Sequence, residues 1–190
     1  GRNSHPYAST EKCYTDQGDG FHVPTQFDFA QNFTGSPLKV FAMLSQEKFI
    51  LAKCSATGSL SAEASVDQVL FDGGETVTLI STRVLPADLP GPAKSLVGDT
   101  ITVTETQIWT PPAPDGSRTA TITVVFSAPM SFSGTLELSP GAQANTTITT
   151  RGKFTASVPF IGGKIEKVAA EQTQRYLVAE ERVGNEWLAD

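Results

Sequence analysis

From Phe21 onward apolar residues fall at loosely alternate positions, Val23, Phe27, Phe29 and Phe33, and Thr34-Gly35 supplies a turn that ends this first strand. Ser36-Pro37 then reads as the N-cap and first residue of a helix whose apolar side is Leu38, Phe41, Met43 and Leu44. A second short helix, about Gln46 to Ser55, carries Phe49, Ile50 and Leu51 and stops before Gly58. Six strands follow, over about Ala62–Phe71, Glu75–Leu85, Thr100–Thr110, Arg118–Phe126, Phe132–Leu138 and Thr146–Val158. Their breakers are Asp72-Gly73-Gly74, the run Pro86 to Pro92 with a short helical piece to Leu96, Pro111-Pro112 with Asp115-Gly116, Pro129, and Pro140-Gly141. The last segment, Gly163 to Leu188, changes period: Ile165, Val168, Ala169, Gln172, Tyr176, Ala179, Val183 and Trp187 recur every three or four residues, one stripe along a helix.

Strands joined by short turns predict an antiparallel meander, with the long helix left to cover its apolar face. Six or seven strands at about 4.8 Å spacing span about 30 Å, whereas a helix is about 10–12 Å across. The sheet must therefore curl round the helix, and a concave volume of a few hundred cubic ångströms is expected between them. The fold class is α+β: a curved antiparallel sheet of six to seven strands wrapped round a long C-terminal helix, with two short helices after the first strand.

Composition narrows the partners. With 39% hydrophobic and 18% charged residues, 190 residues suit one domain with a real core. A net charge of −6 and no Lys/Arg cluster disfavour nucleic acid or an anionic membrane as a standing partner. No apolar run approaches the ~20 residues of a membrane span. Residues 1–20 are polar and aperiodic and read as an N-terminal extension, flexible or non-native, before a domain over 21–190; the chain opens on Gly1, so its start reads as trimmed or processed. Cys13 and Cys54 have no CxxC context, which indicates neither a zinc site nor a disulfide framework and leaves a pairing between them open. No metal and no cofactor is expected, and the expected compartment is the cytoplasm. The sequons at Asn32 and Asn145 read as turn polarity.

The order strand, two helices, six strands, long helix resembles the START-like superfamily, the helix-grip fold of polyketide cyclases and the birch pollen allergen, over about Phe21–Asp190. More narrowly, Leu85-Pro86-Ala87-Asp88-Leu89-Pro90-Gly91, Val97-Gly98-Asp99-Thr100, Thr104-Glu105-Thr106 with Trp109, and Val158-Pro159-Phe160-Ile161-Gly162-Gly163-Lys164-Ile165-Glu166-Lys167 resemble an actinobacterial family of unknown function within it. The superfamily resemblance implies hydrophobic-ligand binding or transport, and sometimes lyase or cyclase chemistry.

Strand parity points Val77, Leu79, Ser81, Arg83 and Leu85 inward from one strand and Ile101, Val103, Glu105, Gln107 and Trp109 from the next. Arg83 and Glu105 then read as an ion pair or polar anchor in the pocket, with Gln107, Gln172 and Tyr176 beside it; a parity slip that puts both charges on the solvent face is the competing reading. The apolar lining is expected from Phe41, Phe49, Val77, Leu79, Val103, Trp109, Ile122, Val124, Leu136, Ile148, Phe154 and Val168, each of which could equally be plain core. Pro86 to Pro92 reads as a lid or as a stiff crossover. On the long helix Glu166, Lys167, Glu171, Arg175, Glu180, Glu181 and Arg182 read as a solvated face.

No catalytic set is assigned: the two histidines, His5 and His22, lie in or beside the polar extension, and Glu63, Asp67 and Glu105 have no defined pairing. Three functions stay open. The first is binding or transport of a hydrophobic small molecule or lipid, the second an enzyme of the cyclase or hydrolase kind, and the third an interaction module or homodimer.

Overall fold

The computed structural model describes residues 23–89 and 91–190. The proposed N-terminal extension, both histidines and Cys13 lie outside the described residues. In chain order the elements are β1 (Thr25–Phe33), α1 (Pro37–Leu44), α2 (Glu47–Ala56), β2 (Ser61–Phe71), β3 (Gly74–Pro86), α3 (Gly91–Val97), β4 (Thr100–Trp109), β5 (Arg118–Phe126), β6 (Met130–Pro140), β7 (Thr146–Ala156) and α4 (Gly162–Ala189). The sequence pattern places all of them. It stops β6 short, because the paired ends of that strand, Met130↔Ala156 and Pro140↔Thr146, lie beside the prolines that read as breakers. It runs β7 two residues long: the Ser157 amide donates to the Pro129 carbonyl, and the Val158 carbonyl accepts from Gly162 at the turn into α4.

All seven strands form one antiparallel sheet in the order β1-β7-β6-β5-β4-β3-β2, so consecutive strands are neighbours except for the step that brings β1 against β7. Alternation then sorts the faces: Ala120, Ile122 and Val124 of β5 are buried while Thr119, Thr121 and Thr123 are exposed. The sheet must curve to meet a single helix, and a glycine pair helps it. Gly134 of β6 and Gly152 of β7 are paired in register. A Cβ on Gly134 would drive into the Arg151 carbonyl, and one on Gly152 into the Ser133 carbonyl and the Phe132 ring, so only glycine permits this approach. On the concave side Phe132 and Phe154 pack at 4.7 Å between centroids, and Phe27 meets both edge-on at 5.9 and 5.7 Å.

Ser36 caps α1 as its position predicts, its hydroxyl accepting from the Lys39 amide, with Pro37 as the first helical residue. The 28 residues of α4 give a rod about 42 Å long. Its charged residues do not form one solvated face. Lys167, Glu171, Arg175 and Arg182 are exposed, but Glu166 has no exposed surface and Glu180 faces the interior. Burial of Glu166 is possible because its carboxylate is filled with donors: Oε1 accepts from the Thr25 amide and hydroxyl, both at 2.9 Å, and Oε2 from the Ala156 amide at 2.8 Å. That side chain fixes the first turns of the helix to the start of β1 and the end of β7.

Glu166→Ala strands these donors and should cost about 2–3 kcal/mol. The midpoint of thermal unfolding should fall on the order of 5–10 °C, whereas Glu186→Ala, which removes an exposed pair to Arg182, should leave it in place.

Candidate functional site

Between the concave face of the sheet and α4 lies a cavity of about 100 Å³, measured as the space open to the centre of a water molecule; the atom-free space around it, including solvent at the opening, is about 1140 Å³. On the first measure it is smaller than the few hundred cubic ångströms expected, because large side chains reach into the bowl: Trp109, Phe132, Phe154 and Met130 all line it. The crossover Pro86–Leu89 forms part of the wall, with Pro86 and Asp88 exposed at the rim. It is held by the Ala87 amide on the Asp99 carbonyl (2.9 Å) and by Gln172 Nε2 on the Asp88 carbonyl (3.1 Å).

The two sides of the cavity differ in chemistry. From β5, β6 and β7 come Ile122, Val124, Phe126, Met130, Phe132, Leu136, Ile148 and Phe154, an apolar wall interrupted by Thr150. From α2, β3, β4 and the middle of α4 come the charged and polar Lys53, Arg83, Glu105, Gln107, Tyr176 and Glu180, set among the apolar Leu79, Leu85, Ile101, Val103 and Trp109. Successive inward positions of β4 form a ladder: Trp109 Nε1 donates to Gln107 Oε1 (2.9 Å), and Gln107 Nε2 donates to Glu105 Oε2 (3.1 Å). The ladder leads to Lys53, whose Nζ lies 3.8 Å from Glu105 and 3.5 Å from Glu180. Arg83 takes a separate station, donating to Thr57 Oγ1 (2.8 Å) with its guanidinium 5.0 Å from the centre of the Tyr176 ring.

Burial works to lower the Lys53 pKa, but Glu180 and Glu105 outweigh it and hold the ammonium above the ordinary lysine value. Burial lifts the Glu180 carboxyl above the usual glutamate range, with Lys53 opposing it. The Tyr176 phenol and the Cys54 thiol are likewise pushed up by burial, so both stay protonated at neutral pH. Among the described residues no buried side-chain nitrogen or oxygen lacks a hydrogen-bond partner, and no group of His, Cys, Asp or Glu is placed to hold a metal ion.

Leu79, Arg83, Val103, Glu105, Gln107, Trp109, Ile122, Val124, Leu136, Ile148, Phe154, Gln172 and Tyr176 line the cavity. Phe41, Phe49, Val77 and Val168 do not. Phe41 is held between Trp109 (5.4 Å between centroids) and the Arg118 guanidinium (3.6 Å), and Phe49 packs on Trp187 (5.6 Å). Val77 is fully buried beside Trp109 in the ladder, and Val168 is turned aside while Ala169, Gln172 and Thr173 face the space. Arg83 and Glu105 both point inward as parity requires, yet Glu105 takes Lys53 as its partner and not Arg83. Three lining charges were missed: Lys53, Glu180 and, at the rim, Asp88. Lys53 lies four and three residues after the buried Phe49 and Ile50, and Glu180 four after Tyr176, so helical spacing was the signal that could have found these two.

Residues 28–188 match the family described as a protein of unknown function, DUF2505. The chain belongs to that family. A similar protein is the uncharacterized protein Rv0481c of Mycobacterium tuberculosis, 25% identical over 173 residues that cover 88% of this chain and 99% of the relative. Solved structures share the fold at low identity. TTHA0849 from Thermus thermophilus superposes with a TM-score of 0.60 at 12% identity, over 87% of this chain and 97% of its own. The Zhui aromatase/cyclase from Streptomyces sp. R1128 gives 0.57 at 10% (88% and 94%), and a START superfamily protein from Mycobacterium smegmatis gives 0.52 at 11% (86% and 98%). This DUF2505 chain therefore has the START-like helix-grip fold, and among the described residues no helix is long and apolar enough to cross a membrane.

Lys53→Met leaves two carboxylates without their cation and should cost about 3–5 kcal/mol by denaturant unfolding. Because the Glu180 pKa is raised by folding, the folded chain keeps that proton longer than the unfolded one, and the stability tied to this group falls as pH rises from about 4.3 through the folded value. Glu180→Gln should remove that decline, so the variant gains on the wild type as pH rises; parallel pH profiles for the two proteins would contradict this account.

Proposed function

We propose that this protein binds and carries a hydrophobic small molecule or lipid in the cavity under α4, without transforming it. The observation that carries the reading is a mostly apolar lining whose charged groups gather on one side. A cavity lined mostly by aliphatic and aromatic groups, with a few convergent polar ones on one side, suits a mostly apolar guest held in one orientation. Charge and the sparse acid–base complement support a binder over a catalyst: there is no histidine among the described residues, and Lys53 is neutralised by carboxylates instead of being poised as a base.

A second reading draws on Glu105, whose carboxylate stands beside the cavity between Lys53 and Gln107. By analogy of fold with an aromatase/cyclase, that arrangement would serve as an acid–base group on a hydrophobic substrate. Under it Glu105→Gln abolishes turnover and spares the fold; under the carrier reading it changes only affinity.

Native mass spectrometry of the purified protein should reveal a copurified apolar guest, and a lipophilic dye such as Nile red should bind with saturation. Val124→Trp, which fills the apolar side, should weaken dye binding at least tenfold with an unchanged circular-dichroism spectrum. Full dye binding by that folded variant would remove the cavity as the binding site.

A further inference from the structure

The charges in the cavity wall balance. Lys53 and Arg83 supply two positive charges, and Glu105 and Glu180 supply two negative ones. The remaining charged residue of the lining, Asp88, is exposed at the rim and solvated. The four inner charges are fixed in place: Lys53 sits between the two carboxylates, Glu105 is also held by Gln107, and Arg83 is tied to Thr57 and stacked on Tyr176. Such a cluster offers a guest both donors and acceptors. A neutral hydroxyl or carbonyl can take either kind of bond and leave the sum of charge at zero. A carboxylate or an ammonium would add one uncompensated charge to a site walled by Ile122, Val124 and Phe132, where an unpaired charge costs several kcal/mol.

Resting on the carrier reading above, we infer that the guest is an amphiphile with an uncharged polar end, a hydroxyl or carbonyl set against Lys53, Arg83, Glu105 and Glu180, and an apolar body against the β5–β7 wall.

The test uses three guests with one tail and three head-group charges: decanol, decanoate and decylamine, each displacing Nile red from the full chain at neutral pH. Decanol should displace the dye at least tenfold more effectively than either ion. The preference should then follow the sum of charge in the wall. Arg83→Gln leaves a net negative cluster and should move the preference to decylamine, and the near-isosteric Glu180→Gln leaves a net positive one and should move it to decanoate. Circular dichroism confirms that each variant is folded, with Arg83→Met as the alternative if Arg83→Gln is not. An ion that beats decanol on the wild type overturns the inference, as does one order of preference in all three proteins or a failure of all three guests to displace bound dye. Failure of Nile red to bind the wild type at all is a different result, which sinks the carrier reading itself.

Discussion

One helix has to serve seven strands. A rod about 10 Å wide cannot seal a sheet about 30 Å across, so the sheet bends toward it and the remaining gap is filled from both sides. The chain solves this unevenly. On the β6–β7 side two opposed glycines let the strands come together under a cluster of three phenylalanine rings. On the β3–β4 side α2 closes the gap, and there the filling is incomplete and includes the charged groups. The helix can stand off the sheet at that point because its first turns are fixed elsewhere, through Glu166 on β1 and β7.

Buried ionic groups are a poor source of stability, since the loss of hydration offsets most of the attraction between them. A chain that needed only a core could have placed leucine or methionine at positions 53 and 180. Instead it holds four charges in mutual compensation and satisfies the hydrogen-bonding groups around them. The upward pull of burial on Glu180 shows that the arrangement is held against a cost. What the cluster supplies in exchange is direction: a fixed set of donors and acceptors that faces one way across an apolar space.

Nearly all of the fold was legible in the residues. The change of period from two to 3.6 at the last segment, the turns at Asp72-Gly73-Gly74 and Asp115-Gly116, and the cap at Ser36-Pro37 each act locally, so each leaves a local mark. Parity in β3 and β4 likewise placed Arg83, Glu105, Gln107 and Trp109 toward the helix, because alternation within a strand is a local property. Pairing across elements was not legible. The partner of Glu105 depends on how α2 leans over the sheet, which no spacing encodes, so Lys53 was overlooked and Arg83 expected in its place. Helical charges misled for a related reason: Glu166 and Glu180 look like their solvated neighbours until the helix is rotated into its seat. Phe41 and Phe49 show the converse, aromatic residues on short helices whose rings meet Trp109 and Trp187 and never reach the open space.

The position of Trp109 has an optical consequence. Its ring is almost wholly shielded from solvent, its indole N–H is committed to Gln107, and one face borders the cavity. The chain has one other tryptophan, Trp187, which packs against Phe49 and does not line that space. Emission from Trp109 should therefore register what occupies the bowl, through the polarity of its neighbours and any quenching group on the guest. The protein thus carries its own indicator of occupancy, with Trp187 as a reference signal in the same molecule.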